Sequence, residues 1–246
     1  VTKVEDYRAA LRRLDDWEGY LLAESGLPGP RANLALAEAA ADEGNTARFQ
    51  HWLAFTPEQA PGNTPGEFLP LCGVIGLGRL LAEGDRSVLG RLRAAANDPR
   101  WRVREGVAIA LQHWGDVDME ALIVEMVGWS GGTLLEKRAA AAALCEPRLL
   151  KNAAQVERVL DMLDDITQAV VAEHDRKSEA FVALRKGLAY CWSVAVAANP
   201  AAGKPLLEKW AASDDKDIRA IVKENLKKDR LKRMDTAWVE RIASAL

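Results

Sequence analysis

Apolar residues along this chain recur every three or four positions, the period of a helix packed along one side. Near the start, Val4, Tyr7, Leu11, Leu14, Trp17 and Leu21 form one stripe, and Thr2 and Glu5 have the spacing of a capping box. Val103, Val107, Ala110, Leu111 and Trp114 form another. Asp98 before Pro99 predicts where that helix begins, and Gly115 where it ends. A longer stripe of Val156, Val159, Leu160, Leu163, Ile166 and Val170 predicts an extended helix over 153–173. Alternating β-branched runs and Asn-Gly or Asp-Gly hairpin pairs are missing from the sequence. The pattern predicts an all-α fold.

The stripes come in pairs. Between 85 and 116 a short helix (Val88, Leu89, Leu92) leads through an Asn97-Asp98-Pro99 turn into the longer one. The arrangement returns after Trp210, with Ser213-Asp214-Asp215 as the turn and Ile218, Arg219, Val222 and Leu226 on the next helix. Val103-Arg104 and Ile218-Arg219 match in register, and Arg138 and Arg185 take the same place in two helices between them. Asn33 and Gly73 take it in two weaker N-terminal units. Successive positions lie 31 to 47 residues apart, the spacing of a helix-pair repeat. One such pair cannot bury its own apolar face, whereas stacked pairs share a continuous core.

The expected architecture is therefore a single right-handed α-solenoid over 1–246 with about six helical pairs. Capping helices are expected in 1–50, core repeats in 67–228 and a C-terminal capping helix in 235–246. The second helix of each pair would build a concave inner wall. The long irregular segment is 56–66, with Pro57, Pro61, Gly62, Pro65 and Gly66. Loops of that length are often functional.

Charge and composition narrow the chemistry. The 246 residues carry 33 Lys and Arg against 36 Asp and Glu, a formal charge of -3 that compels neither a polyanion nor a membrane partner. No 18 consecutive apolar residues occur, so no membrane span is expected, and 1–24 lack the apolar stretch of a signal peptide. Cys72, Cys145 and Cys191 are widely spaced, as suits reduced, buried thiols in a cytoplasmic protein. Lys223, Lys227, Lys228, Arg230, Lys232 and Arg233 outweigh Glu224 and Asp229 in one short run. That run reads either as a draw for an anionic partner or as a solvated cluster near a helix end. Tryptophan (8) outnumbers phenylalanine (4) and tyrosine (3) together. Trp52, Trp101 and Trp192 read either as a stacking platform or as packing between helices.

Catalytic patterns are sparse. His51, His113 and His174 have no second ligand at metal spacing, so no metal is expected. Gly73, Gly76 and Gly78 lie inside an apolar stretch without the Lys-Ser/Thr of a phosphate loop. No Gly-x-Ser-x-Gly elbow is present.

Leu92, Asp98, Val103, Arg104, Ala108 and Leu111 stand at the spacing of a HEAT repeat, and 214–226 resembles it again. In that family the turn Asp and the following Arg stitch neighbouring repeats together. A narrower resemblance covers about 85–226. There, Ala96-Asn97-Asp98-Pro99-Arg100-Trp101-Arg102-Val103-Arg104 and Arg185-Lys186-Gly187-Leu188-Ala189-Tyr190, with Asn199-Pro200 closing the helix, look like the HEAT-like bacterial alkylpurine DNA glycosylases of the AlkD type. That family grips DNA in a concave groove, with aromatic residues and an Asp around the damaged nucleotide. The resemblance implies Trp101 and Arg104 on the groove wall. It places Tyr190 where the family has a groove Trp, with Trp192 close by. The family's catalytic stretch carries a Trp and, four residues later, an Asp. Here Gly66-Glu67-Phe68-Leu69-Pro70 has neither, and Glu67 is the nearest carboxylate.

Two functions are expected as alternatives. One is a non-catalytic binding module whose groove receives a protein partner through Trp101, Arg104, Arg138, Arg185, Tyr190, Trp192, Arg219 and Lys223. The other is a DNA-binding alkylation-repair protein acting on duplex DNA. In it Trp101, Tyr190 and Trp192 stack, Arg104 and Arg219 hold phosphates, and Glu67 is the candidate catalytic residue. For each Arg the competing reading is stitching to turn aspartates. Neither function calls for a cofactor or a metal.

Overall fold

A computed structural model describes residues 2–246, and every regular element among them is helical. The α-helices are α1 (Lys3–Leu11), α2 (Trp17–Ala23), α3 (Leu34–Glu43), α4 (Thr46–Leu53), α5 (Phe68–Ala82), α6 (Leu89–Ala95), α7 (Trp101–Val117) and α8 (Met119–Ser130). They continue with α9 (Leu134–Leu144), α10 (Ala153–Ala172), α11 (Glu179–Ala198), α12 (Pro200–Ala211), α13 (Lys216–Leu226), α14 (Asp229–Met234) and α15 (Thr236–Ser244). The chain forms two compact units, Val1–Val117 and Asp118–Leu246.

Helix ends follow local chemistry. Asn152 accepts from the Ala154 and Gln155 amides to start α10, Ser178 from Phe181 to start α11, and Asp215 from Asp217 and Ile218 to start α13. Thr133 and Glu136 form a reciprocal capping box at α9. The N-terminal stripe, read as one run, is interrupted. Helix α1 stops at Leu11, and Asp16 caps a new helix by accepting from the Gly19 amide at 3.0 Å. An Asp so placed favours the cap over the helix interior, and Leu14 is left exposed in the turn. Helix α7 runs two residues past Gly115.

In the first unit, α5 packs against α3, α4 and α7. Twelve of its fifteen residues are buried, as befits a helix apolar all round. The close packing depends on its glycines. A Cβ on Gly76 would lie 2.4 Å from the Phe49 ring, and one on Gly78 would lie 2.3 Å from the Ala110 Cα.

In the second unit, α11 packs against α9 on one side and α13 on the other, while α10 packs against α8, α11 and α12. Thus α9, α11 and α13 form one layer backed by α8, α10 and α12. Register shows that α11 and α13 are parallel. Arg185 reaches Asp217 near their starts, at 3.4 Å. Further along, buried Asn225 accepts from the Ser193 amide at 2.8 Å and donates to the Leu188 carbonyl at 2.9 Å. Two stretches, Pro65–Ala82 and Glu179–Ala198, are long and apolar enough to cross a membrane by length and composition. Within the protein, 72% of the first stretch and nine of the twenty residues of the second are buried, at the centre of the two units.

The glycine contacts predict opposite outcomes for two like substitutions. Gly78→Ala should lower the unfolding free energy by about 1–3 kcal/mol, because Ala110 backbone cannot yield. Gly90→Ala, on exposed α6 with nothing within 4 Å, should raise it by up to about 1 kcal/mol through helix propensity. Urea denaturation of both variants checks this.

Glu43, at the end of α3, accepts from Arg12 Nε and Nη2 at 2.8 and 2.6 Å and from Arg8 Nε at 2.7 Å. These guanidiniums hold its carboxyl down from 4.5 to about 2. A folded-state pKa below the unfolded one gives stability that is complete above pH 4.5 and is lost as pH falls through 2. Glu43→Gln should therefore be less stable than wild type at neutral pH, the two converging towards pH 2. Urea midpoints measured across that range test it.

Candidate functional site

The turn into α7 carries three arginines, and all three point into the protein. Arg100 donates from Nε and Nη2 to the Asp98 carboxylate at 2.9 and 2.7 Å, and from Nη1 to the carbonyls of Phe55 and Ala60. Arg102 donates to Glu67 Oε2 at 3.0 Å, to Asn63 Oδ1 at 3.2 Å and to the Gly29 carbonyl. Glu67 Oε2 also accepts from the Asn63 amide at 2.7 Å. Arg104 donates to the carbonyls of Asp98 and Pro99 at 2.6 and 2.8 Å. The Pro- and Gly-rich segment 56–66 is thus pinned onto the start of α7 from below.

This geometry corrects two expectations in the first unit. Glu67 is 0% exposed and its Arg102 partner 2% exposed, so the carboxylate faces a guanidinium and not a groove. Glu67 Oε1 and Arg102 Nε are enclosed without a hydrogen-bond partner. Arg104 is likewise buried, its guanidinium spent on turn carbonyls rather than offered to phosphate. Trp101 is different. The residue is 46% exposed, with the Arg102 guanidinium 4.3 Å from the ring centroid.

The remaining candidates lie in the second unit. Trp192 is 0% exposed, and its indole N–H donates to buried Thr167 Oγ1 at 3.0 Å. It belongs to the core and has no free face for a ligand. The cause is helical geometry: residues two apart point about 200° from one another. So Trp192 faces inward while Tyr190 is 43% exposed. Arg185 pairs with Asp217, and Arg219 donates to the Leu246 carbonyl. Arg138 is half-buried, its stem running beside Gly187 of α11. Lys223 is exposed on α13.

Sequence reasoning missed the main stitch of this unit, Arg176. It spans Asp215 and Asp217 at 2.6 and 3.0 Å. Its hydrogen bond lowers the Asp215 pKa, and Asp215 in turn raises that of Arg176. Its position after a helix end, before a Ser cap, was the available signal. Arg230 was legible only as one member of a basic run. In the structure it donates from Nη2 to the Tyr190 hydroxyl at 2.7 Å and lies 4.6 Å from that ring's centroid. Lys228 stands 5.8 Å from the same ring.

Among the described residues no three His, Cys, Asp or Glu side chains cluster. Cys145 and Cys191 meet in the core, and burial pushes the Cys145 thiol well above its usual pKa, which keeps it protonated. An open groove of about 590 Å³ lies between α4 and α6, floored by Leu53, Ala54, Ala94 and Ala95. Its one carboxylate, Asp98, is engaged by Arg100.

The buried pair makes a stability prediction. Arg102→Met leaves the Glu67 charge enclosed, and should cost about 3–5 kcal/mol. Replacing both residues, Glu67→Leu with Arg102→Met, should cost less than that single change. A double-mutant cycle by urea denaturation reads the difference. Comparison of the chain with protein-family models, with curated proteins and with solved structures finds no match.

Proposed function

We propose that the chain is a non-catalytic binding module of HEAT-like helical pairs, about six in number, that presents a helical layer to a macromolecular partner. The observation that carries this reading is the layer of α9, α11 and α13 backed by α8, α10 and α12. Repeated helix pairs of this kind offer extended surfaces for binding. The burial of Glu67 supports the non-catalytic part, because a carboxylate that serves a substrate must reach it. The second reading, an alkylation-repair DNA binder, is favoured by one feature. Trp101, which the resemblance assigns to a groove wall, is exposed and lies beside a buried guanidinium.

An excision assay separates the two. Duplex DNA carrying N-alkylated purines, incubated with the purified chain, should release no free base above the buffer control. Release that disappears in Glu67→Gln, with the fold intact by circular dichroism, would establish the repair reading in its place.

A further inference from the structure

We propose that Cys145 and Cys191 are a dithiol pair that a peroxide converts to a disulfide, locking the end of α9 onto α11. This goes beyond the binding-module reading and does not depend on it.

The two sulfurs come from elements that pack closely. Helix α9 lies against α11, where a Cβ on Gly187 would sit 3.3 Å from Arg138 Cγ. Cys191 falls one turn beyond Gly187, in the buried middle of α11. Cys145 is the residue that ends α9, and its amide donates to the Ala141 carbonyl at 3.0 Å. The two thiols interact directly, and both residues are buried. A disulfide needs two sulfurs within reach and a backbone that adjusts to its narrow geometry. Cys191 is held mid-helix. Cys145 has left helical geometry, with φ -89° and ψ 54°, and leads into the turn of Glu146, Pro147 and Arg148. The pair therefore joins one fixed sulfur to one that a turn can move. Cys72 is the contrast, enclosed within helix α5 of the first unit.

Arg230 supplies the electrostatics. Burial raises the Cys145 pKa and the adjoining Cys191 thiol raises it further, while the positive charge of Arg230 pulls it back. That guanidinium is anchored at one end, where Nη2 donates to the Tyr190 hydroxyl at 2.7 Å. Its Nη1 is enclosed without a partner. A buried donor without an acceptor is costly, and a thiolate on Cys145 supplies the anion that this cation lacks. Arg230 is thus a positioning residue that favours the reactive form of Cys145 without itself reacting.

The exchange balances with hydrogen peroxide as the oxidant. The Cys145 sulfur attacks one peroxide oxygen, the O–O bond breaks, and water leaves with the thiol proton. Cys145 is then a sulfenic acid. The Cys191 sulfur attacks the Cys145 sulfur, the S–O bond breaks and the S–S bond forms. A second water leaves with the Cys191 proton. Two electrons and two protons have passed from the thiols to the peroxide. A turn opens at lower cost than a helix interior, so the peroxide enters at Cys145 rather than at Cys191.

The test uses the whole chain, reduced and then treated with hydrogen peroxide. After trypsin digestion without reductant, segments 139–148 and 187–209 should appear joined, at their summed mass less two hydrogens. Cys72 should remain open to alkylation once the chain is unfolded, and dithiothreitol should release the joined segments. The oxidised chain should melt several degrees above the reduced one, because the bond restricts the unfolded chain. Cys191→Ala should stop the reaction at a Cys145 sulfenic acid, which dimedone traps. Arg230→Met should slow oxidation severalfold, and Arg230→Lys, which keeps the charge, should restore most of the rate. Thiols that stay reduced under peroxide that fully oxidises the same chain in urea overturn the proposal. So does a disulfide that includes Cys72, or one that joins two chains. An oxidised chain that melts no higher than the reduced one overturns the lock, and an unchanged rate in Arg230→Met overturns the part given to Arg230.

Discussion

The structure depends on one constraint: a helix of ten to twenty residues cannot hide its apolar surface alone, so each unit is organised around one helix buried on several sides. In the first unit that helix is α5, held among α3, α4 and α7. In the second it is α11, between α9 and α13 and backed by α10. These two helices are also the stretches whose composition would suit a lipid bilayer. Their apolarity is satisfied by neighbouring helices. At α5 small residues convert that burial into close contact, since Gly76 admits the Phe49 ring and Gly78 admits the Ala110 backbone.

A second constraint follows from the first. Short helices joined by turns expose many backbone carbonyls and leave polar turn residues close to the core. Arginines meet this need throughout. Arg100 and Arg102 bind carbonyls and a carboxylate of the 55–67 segment, Arg104 binds the Asp98 and Pro99 carbonyls, and Arg79 binds the carbonyls of Ala41 and Gly44 at the end of α3. Arg176 joins the end of α10 to the start of α13. A planar guanidinium with five donors serves several acceptors at once, which a lysine cannot do. The consequence for function is direct. The arginines that the repeat register nominates, Arg104, Arg138, Arg185 and Arg219, are already engaged within the protein.

Helix positions were largely legible in the chain. The stripe over 153–173 became α10, Asp98-Pro99 opens the turn into α7, and Arg104, Arg138, Arg185 and Arg219 all fall early in their helices. Periodicity and capping are local, so they survive without knowledge of the partner surface. The N-terminal stripe was misjudged as continuous because its apolar spacing persists across the break, whereas the cap at Asp16 decides the matter. The candidate site was far less legible. Glu67 is separated from Arg102 by 35 residues, and nothing near Glu67 in sequence signals that the two neutralise each other in the core.

By itself, then, the sequence determined an all-helical chain, the extent of α10 and the turn that opens α7. Tertiary structure alone decided which side chains face solvent. Tyr190 and Trp192 are neighbours in the chain, yet one meets solvent and the other meets Thr167. The reason is that periodicity reports only that a helix has a buried side. Whether a given tryptophan, arginine or glutamate ends on that side depends on which helices pack against it, and that is a property of contacts distant in sequence.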